Sequence, residues 1–237
     1  MPCEFDAFVF DAYGTLFDVY SVKVSAERLY PGQGDALAKL WRDKQVEYTR
    51  LISLADPSAL HGSRHYISFW EVTQRALDYS LRALGLDASQ ANQDLLMAEY
   101  EKLSAFPEVS PVLAQLKDEG HQLAILSNGN QSMLNRAVES AGLVSLIDRV
   151  LGVDELRQFK IMPMVYDLIF QGADLSKDKV LFVSSNGWDV LGANWCGLNT
   201  FWVNRHGLPF ETLGPGPKYT GRDLGGLLAI GASEGRG

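Results

Sequence analysis

Five short runs of apolar, β-branched and aromatic residues recur along the chain, and most of them are near-continuous in apolar character. This pattern is typical of parallel strands that are covered on both faces of a sheet. Segments of helical period separate the later runs, and Gly120, Gly142 and Gly172 stand where those helices should end. The predicted strands are AFVFD (7–11), QLAILS (122–127), DRVLGV (148–153), KVLFVS (179–184) and NTFWVN (199–204).

Strands that alternate with helices predict an α/β fold, here a Rossmann-like, doubly wound parallel sheet with right-handed crossovers. Residues 20–104 break the alternation, because they contain almost nothing strand-like. We therefore expect a Rossmann-like catalytic core of residues 1–19 and 105–237 with an inserted helical cap of residues 20–104. A loop at 53–64 joins two cap helices, and the Gly- and Pro-rich tail after residue 206 should wrap the surface. The candidate cap helices are 22–29, 34–54, 66–85 and 88–103.

Composition narrows the possible partners. The chain has 237 residues, 46% of them hydrophobic and 21% charged, which fits an ordinary globular protein with a substantial core. A net charge of −8 argues against nucleic acid or an anionic membrane as a partner. Two distant cysteines, Cys3 and Cys196, predict reduced thiols in a cytoplasmic protein. We expect no signal peptide, and no window of about 18 residues is apolar enough to span a membrane.

Small or polar residues follow the predicted strands, at the edge of a parallel sheet where ligands bind. Asp11 ends the first strand, Ser127 and Asn128 close the second, and Ser184 closes the fourth. Lys160 lies in the connection after the third strand. In a parallel sheet these side chains meet in one crevice, and Asp11 is then a candidate nucleophile or metal ligand. The alternative is an aspartate that only caps a turn.

Four segments together resemble the haloacid dehalogenase superfamily, and within it the L-2-haloacid dehalogenases. They are DAYGTLFD (11–18), LSNGN (126–130), FK (159–160) and SSNGWD (184–189). The match covers nearly the whole chain, including LWRDKQVEYTRL (40–51) in the helical insert. The resemblance implies a metal-independent hydrolase with no cofactor. Such an enzyme converts small L-2-haloalkanoic acids to D-2-hydroxy acids plus halide.

Two features favour this branch over the Mg²⁺-dependent phosphatases of the superfamily. The phosphatases carry a second aspartate two residues after the first, as the proton donor, where this chain has Tyr13. Halide needs no proton to leave, so an enzyme that releases halide can lack that donor. The phosphatases also place an acidic pair after the fourth-motif strand, whereas this chain has Ser184, Ser185 and Asn186, which make a poor shell for Mg²⁺.

The resemblance assigns the central chemistry to three residues. Asp11 would attack C2 of the substrate and form an ester, which water then hydrolyses at its carbonyl carbon. Thr15 would hold the Asp11 carboxylate through its hydroxyl group. Lys160 would keep Asp11 ionised, since an opposite charge within ~4–6 Å favours the ionised form, and would stabilise charge on the ester oxygen. The family usually has proline after this lysine, but this chain has Ile161.

The hydrolytic water would be oriented or activated by Asn186 and Asp189, with Ser184 nearby and Lys160 paired to Asp189. Which group accepts the proton of this water is left open by the sequence, because a base must reach its water at hydrogen-bond distance. The four histidines offer no metal site. His61 and His65 are four residues apart, but they flank a glycine and lack the glutamate of a metal-binding helix.

Arg42, Ser127 and Asn128 would bind the substrate carboxylate and the departing halide. Arginine suits this task because its planar fork binds anions and stays charged. Each has an ordinary alternative: Arg42 as a surface residue of an amphipathic helix, and the SNGN segment as a helix N-cap. Aromatic and apolar residues would line the alkyl side of the pocket or fill the core. They are Tyr13, Val46, Phe69 and Trp188. Tyr166 is a further substrate-binding candidate, which would orient the lysine or pack in the core.

The resemblance also implies a homodimer formed through the cap helices. The 53–64 connection is longer than usual, which affects the width of the pocket and the dimer surface. Two alternatives are a Mg²⁺-dependent phosphatase and a non-catalytic binding protein on the same scaffold. A third is an enzyme of the same mechanism with a restricted substrate such as fluoroacetate, which would need more hydrogen-bond donors for its poor leaving group.

Overall fold

A six-stranded parallel sheet forms the centre of the molecule. The computed structural model describes residues 4–57 and 61–232. The strand order is β3-β2-β1-β4-β5-β6, so the chain starts in the middle of the sheet and moves outward on both sides. This is the doubly wound arrangement that the sequence predicts. The strands are β1 (Ala7–Phe10), β2 (Gln122–Leu126), β3 (Arg149–Leu151), β4 (Val180–Ser184), β5 (Asn199–Val203) and β6 (Tyr219–Gly221).

The register of the sheet brings the predicted strand ends to one edge. Phe10 of β1 lies level with Ile125 of β2 and Val183 of β4. Asp11, the next residue, still follows the sheet, since its N–H donates to the Val183 carbonyl at 2.9 Å. All four residues of β1 are buried, as a central strand covered on both faces requires. The carboxyl edge therefore presents Asp11 between the ends of two neighbouring strands.

Five helices follow strands of the sheet or lead into them. They carry apolar residues at helical spacing, as in α5, which buries Val109, Val112, Leu113 and Leu116. The helix before β4, which the sequence expects to end near Gly172, ends at Asp167, and the turns that follow it carry carbonyls that accept hydrogen bonds from Arg149. The helices are α5 (Val109–Asp118), α6 (Gln131–Ser140), α7 (Pro163–Asp167), α8 (Gly187–Trp195) and α9 (Leu228–Ala232).

Residues 20–104 form four helices in their described part, as the sequence predicts. α3 begins at Phe69 and not at 66, because Ser68 and Glu71 form a capping box that fixes its first turn. The chain enters and leaves this helical block close to Phe17, which forms isolated β-bridges with Tyr13 and with Ala105. The division into core and cap stays a prediction. The helices are α1 (Lys23–Leu29), α2 (Gly34–Leu54), α3 (Phe69–Ala83) and α4 (Gln90–Tyr100).

The C-terminal tail is more structured than its composition indicates. Tyr219–Gly221 forms the edge strand β6 on β5, and Leu224 and Leu227 are buried behind it. A three-residue strand containing glycine has no apolar run, so its sequence carries little strand signal. Cys196 is a free thiol, and Cys3 lies outside the described residues. None of the helices in the described part of the chain combines the length and apolar character needed to cross a membrane.

Candidate active site

The turn after β1 presents Asp11 to the carboxyl edge of the sheet. Gly14 has φ +92°, a left-handed conformation that glycine adopts without strain, and it lets the chain reverse directly after Tyr13. The N–H groups of Leu16 and Phe17 both donate to the Ala12 carbonyl and close this turn. The Asp11 side chain is only 7% exposed, so its charge depends on partners supplied by the protein.

Lys160 supplies the main partner. Its Nζ lies 3.0 Å from Asp11 Oδ1 and 2.9 Å from Asp189 Oδ2, and its side chain is 0% exposed. Burial alone would lower the pKa of Lys160, but the charges and hydrogen bonds of Asp11 and Asp189 outweigh it and raise the pKa above its ordinary value. One buried ammonium therefore bridges two carboxylates. The predicted pairing of Lys160 with Asp189 is confirmed as a contact.

The second oxygen of Asp11 is held from the other side. The Thr15 hydroxyl donates to Asp11 Oδ2 at 3.0 Å, as predicted, and Asn186 Nδ2 donates to the same oxygen at 2.9 Å. Thr15 is itself fixed, because its hydroxyl accepts from the Ser185 N–H at 2.8 Å. Three donors thus leave the Asp11 carboxylate with one orientation. The Ser184 hydroxyl accepts from the Asn186 N–H at 3.1 Å and so positions that residue instead of binding the Asp11 carboxylate.

Asp189 is buried in the first turn of α8 and has partners on both oxygens. Oδ2 faces Lys160, and Oδ1 accepts from the Tyr166 hydroxyl at 2.7 Å. Burial and the nearby Asp11 charge raise the pKa of Asp189 above its ordinary value. Burial and the Asp189 charge raise the pKa of Tyr166 as well, so Tyr166 stays a hydrogen-bond donor. Tyr166 therefore contacts Asp189 and not the lysine itself, and it is buried in the core, which is the second of the two alternatives that the sequence leaves open.

Arg42 reaches the site from α2. Its guanidinium donates to Gln45 Oε1 at 2.7 Å, to the Tyr13 carbonyl at 3.1 Å and to Asn186 Oδ1 at 3.4 Å. The surface alternative is therefore wrong, since Arg42 is half-buried and points at the turn that carries Asp11. Gln45 is fixed in turn by Thr73, to which its Nε2 donates at 2.6 Å. A chain of hydrogen bonds thus positions Arg42 from its own helix and from α3.

The N-cap alternative for the SNGN segment holds for the position of its last residue, Asn130, but not for Ser127 and Asn128. Ser127 Oγ accepts from the Gly129 N–H at 3.1 Å, a local turn contact. Asn128 Oδ1 accepts from the Lys160 N–H at 2.8 Å. The residue at the N-cap of α6 is Asn130, and its side chain makes no capping hydrogen bond. Asn128 thus ties the end of β2 to the lysine instead of to the helix.

A small cavity lies directly above Asp11. The volume within which the centre of a water molecule can move is about 10 Å³. A molecule larger than water therefore enters only if the walls move. Tyr166, named among the substrate-binding candidates, does not line it; its place is behind Asp189. The other seven candidates do. The lining residues are Asp11, Tyr13, Arg42, Val46, Thr49, Phe69, Ser127, Asn128 and Trp188.

Sequence reasoning missed three residues of the site: Gln45, Thr49 and Ser185. A helical spacing test on α2 would have found the first two. Arg42, Gln45, Val46 and Thr49 are spaced by three and four, which places them on one face of a helix. Gln45 and Thr49 are polar yet nearly fully buried, and a buried polar face needs a reason. Ser185 lies inside a recognised motif and carried no separate signal.

No group of three or more His, Cys, Asp or Glu side chains within the described ranges could hold a metal ion. The two carboxylates nearest each other in the site, Asp11 and Asp189, share the Lys160 ammonium. His61 and His65 are both exposed.

Comparison with known proteins agrees with this arrangement. A family model described as a haloacid dehalogenase-like hydrolase matches residues 5–197. An (S)-2-haloacid dehalogenase of Pseudomonas sp. (strain YL) is 41% identical, over 93% of this chain and 92% of the relative. A crystal structure of an L-2-haloacid dehalogenase has a TM-score of 0.93 at 50% identity and covers 97% of this chain and 100% of its own.

A further solved structure carries a ligand. It is an L-2-haloacid dehalogenase from Xanthobacter autotrophicus with chloropropionic acid covalently bound, and it is 35% identical with a TM-score of 0.86. It covers 98% of this chain and 100% of its own. The chain described here belongs to the haloacid dehalogenase-like hydrolases. Its expected fold and family are thereby confirmed.

Proposed function

We propose that this protein is an (S)-2-haloacid dehalogenase, a hydrolase that converts small L-2-haloalkanoic acids to D-2-hydroxy acids and halide. The observation that carries the proposal is the Lys160 ammonium, fully buried between Asp11 and Asp189. It pairs with the Asp11 carboxylate, which lines a small cavity together with Arg42 and with apolar and aromatic side chains. Similarity to proteins named as haloacid dehalogenases over nearly the whole chain supports the same activity.

Asp11 is the proposed nucleophile. One of its oxygens attacks C2 from the side opposite the halogen, the carbon–halogen bond breaks, and halide leaves with the electron pair. The product of this step is an ester between Asp11 and the acid, with C2 inverted. Lys160, Thr15 and Asn186 hold the carboxylate in one orientation before the attack, which supplies part of the rate enhancement.

Water then hydrolyses the ester at Cγ of Asp11, and the bond between Cγ and the ester oxygen breaks. That oxygen, which came from Asp11, leaves in the hydroxy acid, so C2 keeps its inverted configuration. Lys160 stabilises the negative charge that develops on the carboxyl oxygen beside it. We assign the proton of the water to Asp189, the buried carboxylate that shares the Lys160 ammonium with Asp11 and whose pKa is raised above its ordinary value.

Arg42, Ser127 and Asn128 are the proposed partners of the substrate carboxylate and the halide. They line the cavity together with Asp11, and Arg42 brings the positive charge that an acid substrate requires. Tyr13, Val46, Phe69 and Trp188 form the apolar wall beside the substrate carbon chain. Tyr13 stacks on Phe69, with ring centroids 5.4 Å apart, so this wall is rigid on one side.

The test is halide release from L- and D-2-chloropropionate and from chloroacetate, with EDTA present. Release from the L-isomer and not the D-isomer, abolished in Asp11→Asn, is the expected result. Asp18→Asn is the matched control, because Asp18 belongs to the same motif but binds only a local backbone N–H at 2.9 Å. Absence of halide release, with p-nitrophenyl phosphate cleaved only when Mg²⁺ is added, would instead favour a phosphatase.

A single turnover in H₂¹⁸O tests the ester. The first hydroxy acid formed should contain unlabelled oxygen, because that oxygen comes from Asp11, and the label should enter the Asp11 carboxylate. Label in the first product would mean that water attacks C2 directly, and the nucleophile assignment would then be wrong.

We further propose a cytoplasmic homodimer with separate core and cap domains. The exposed Leu51 and Leu54 on α2 and Tyr79 on α3 support a dimer surface on the cap helices. The net charge of −8 supports the absence of nucleic acid and anionic membrane as partners. Light scattering on the native protein and on a Leu51→Glu/Leu54→Glu variant tests the dimer, which should dissociate.

A further inference from the structure

The connection between α2 and α3 lies against the chain segment that leads into Lys160. Ser53, in the last turn of α2, accepts a hydrogen bond from the Phe159 N–H at 2.9 Å. Further along the connection, the Ser63 N–H donates to the Arg157 carbonyl at 2.9 Å. Both contacts are made with main-chain groups, so they fix the path of the backbone directly before the lysine.

Two further hydrogen bonds, each involving a side chain, join the same two segments. Gln158 Nε2 donates to the Asp56 carbonyl at 3.0 Å, and Gln158 is fully buried. The Tyr66 hydroxyl donates to Asp154 Oδ1 at 3.0 Å, and the other oxygen of Asp154 accepts from the Gln131 N–H of α6. Ser53 and the described part of the connection therefore make four hydrogen bonds to residues 154–159, one from Ser53 and three from the connection.

The two segments also approach too closely for a side chain at Gly62. A Cβ added to Gly62 would lie 2.2 Å from the Leu156 carbonyl oxygen and 2.4 Å from Arg157 Cβ. Gly62 has φ +77°, and Arg157 itself has a positive φ of 51°. Both backbones thus take left-handed conformations where they meet, which only a tightly matched contact maintains.

Residues 152–159 contain no helix or strand, so other contacts must fix them. Phe159 is buried and packs on Tyr66 and Phe69, with ring centroids 5.1 and 6.4 Å apart. On the other side, the Lys160 N–H is held by Asn128. The core fixes the lysine at its own backbone N–H, and the α2–α3 connection fixes the residue before it.

We propose that the α2–α3 connection positions Lys160, and that Ser53 is its principal positioning residue. The inference rests on the proposed function, since that function requires the Lys160 ammonium to stay between Asp11 and Asp189. Ser53 touches neither carboxylate and acts through the Phe159 backbone. Because Arg42 lies on the same helix, α2 sets the relative placement of the two cations of the site.

This inference assigns a role to the connection itself. Asp56, Ser63 and Tyr66 all lie in the stretch beyond α2, and each adds a hydrogen bond to the segment before the lysine. Ile161 stands where the family usually has proline, so the chain after the lysine lacks that ring's restraint on φ. The connection restrains the chain before the lysine instead.

Ser53→Ala is the first test. The variant leaves the buried Phe159 N–H without an acceptor, and a displaced reacting group costs about ten- to a hundredfold in rate. We expect kcat for halide release from L-2-chloropropionate to fall by about that factor, with KM changed by less than about twofold. Ser53→Thr keeps the hydroxyl and should restore most of kcat. A purely structural role would not give this separation of kcat from KM or this rescue.

Ser80→Ala is the matched control. Ser80 is equally buried in neighbouring α3, and its hydroxyl donates only within its own helix, to the Ala76 carbonyl at 2.7 Å. Its kcat should stay near that of the native protein. All variants are assayed well below their own melting temperatures, so that partial unfolding does not enter the comparison.

Tyr66→Phe is a milder second variant, since it removes a single hydroxyl at a half-buried position. It should lower kcat in the same direction by a smaller factor. An unchanged kcat in both Ser53→Ala and Tyr66→Phe, with the native protein active, overturns the positioning role and leaves the proposed function intact. Equal losses in Ser53→Ala and Ser80→Ala also overturn it. A native protein that releases no halide overturns the proposed function and this inference together.

Discussion

The Tyr166 hydroxyl donates a hydrogen bond to Asp189 Oδ1 at 2.7 Å, on the opposite oxygen from the one that faces Lys160. Asp189 is thereby held between a neutral donor and a cation, with no exposed surface. The tyrosine thus acts two contacts away from Asp11. Its influence on Asp11 passes through Asp189 and then through Lys160.

Tyr166→Phe should therefore lower kcat without a comparable change in KM. The buried Asp189 carboxylate loses one of its two side-chain donors, and an unsatisfied buried group costs about 1–3 kcal/mol. That corresponds to roughly a five- to hundredfold fall in kcat if the whole cost is felt in the rate-limiting step. Steady-state kinetics measure it. A rise in KM with unchanged kcat would indicate that Tyr166 binds substrate, as the sequence first indicated.

Lys160→Met should abolish activity and destabilise the fold. The substitution leaves Asp11 and Asp189 buried with no cation between them, and breaking a buried pair in this way costs about 3–5 kcal/mol. Urea unfolding at neutral pH measures the difference. Lys23→Met is the control, because Lys23 pairs with Asp35 on the exposed surface and its loss should change stability little. Equal losses in the two variants would contradict the bridging role of Lys160.

The contribution of Lys160 to the free energy of unfolding should depend on pH only in alkaline solution. Its pKa in the folded protein is raised above the ordinary value of 10.5. The contribution is therefore fully present below pH 10.5 and is lost as the pH rises through the folded pKa. The difference in unfolding free energy between the native protein and Lys160→Met should thus shrink only in strongly alkaline solution. A difference that already shrinks at neutral pH would mean that the ammonium is not stabilised as described.

Activity should fall in acid at a higher pH than an ordinary aspartate would dictate. Burial and the neighbouring Asp11 raise the pKa of Asp189 above 3.8, so Asp189 takes up a proton earlier as the pH is lowered. Protonation removes its charge from Lys160 and its capacity to accept a proton from water. A profile of kcat against pH measures the midpoint, with circular dichroism as the check on folding. Constant kcat down to pH 3.8 in folded protein would exclude this role for Asp189.

Arg42→Lys should weaken substrate binding by about tenfold in KM, because an ammonium cannot reproduce the planar fork of a guanidinium. It should also release Gln45 and the Tyr13 carbonyl, which Arg42 now binds. Arg75→Lys, on an exposed face of α3, is the control and should leave both constants unchanged. An unchanged KM in Arg42→Lys would remove Arg42 from the substrate site.

Much of the fold follows from the sequence because its strands are buried on both faces. Continuous apolar runs such as AFVF and VLFVS predict strands that are buried on both faces. The helix α2 begins and ends at the residues that its sequence pattern predicts. The edge strand β6 was missed, since three residues including a glycine show no periodicity. The helix α7 ends before the glycine that the sequence marks as its end, and carbonyls beyond it accept hydrogen bonds from Arg149, which is distant in sequence.

The contacts of the candidate site likewise divide into those that the sequence predicts and those that it does not. Contacts between residues of recognised motifs, such as Thr15 with Asp11 and Lys160 with Asp189, follow from the sequence. Contacts through tertiary structure do not. Asn128 looked like a helix cap and instead holds the Lys160 N–H. The support from Ser53 joins residues 106 positions apart, and only the folded chain brings them together.

The hydrogen bonds of Arg42 have a consequence for affinity. Its guanidinium is occupied in the free protein by Gln45, the Tyr13 carbonyl and Asn186. An incoming carboxylate must exchange places with some of these acceptors, so the affinity reflects the difference between two sets of bonds and not the strength of the new set. An anion whose oxygens fit the Arg42 guanidinium no better than these acceptors gains no binding free energy from the exchange. In the proposed function, the hydrogen bonds of unliganded Arg42 therefore set a threshold that the bonds to an incoming carboxylate must exceed.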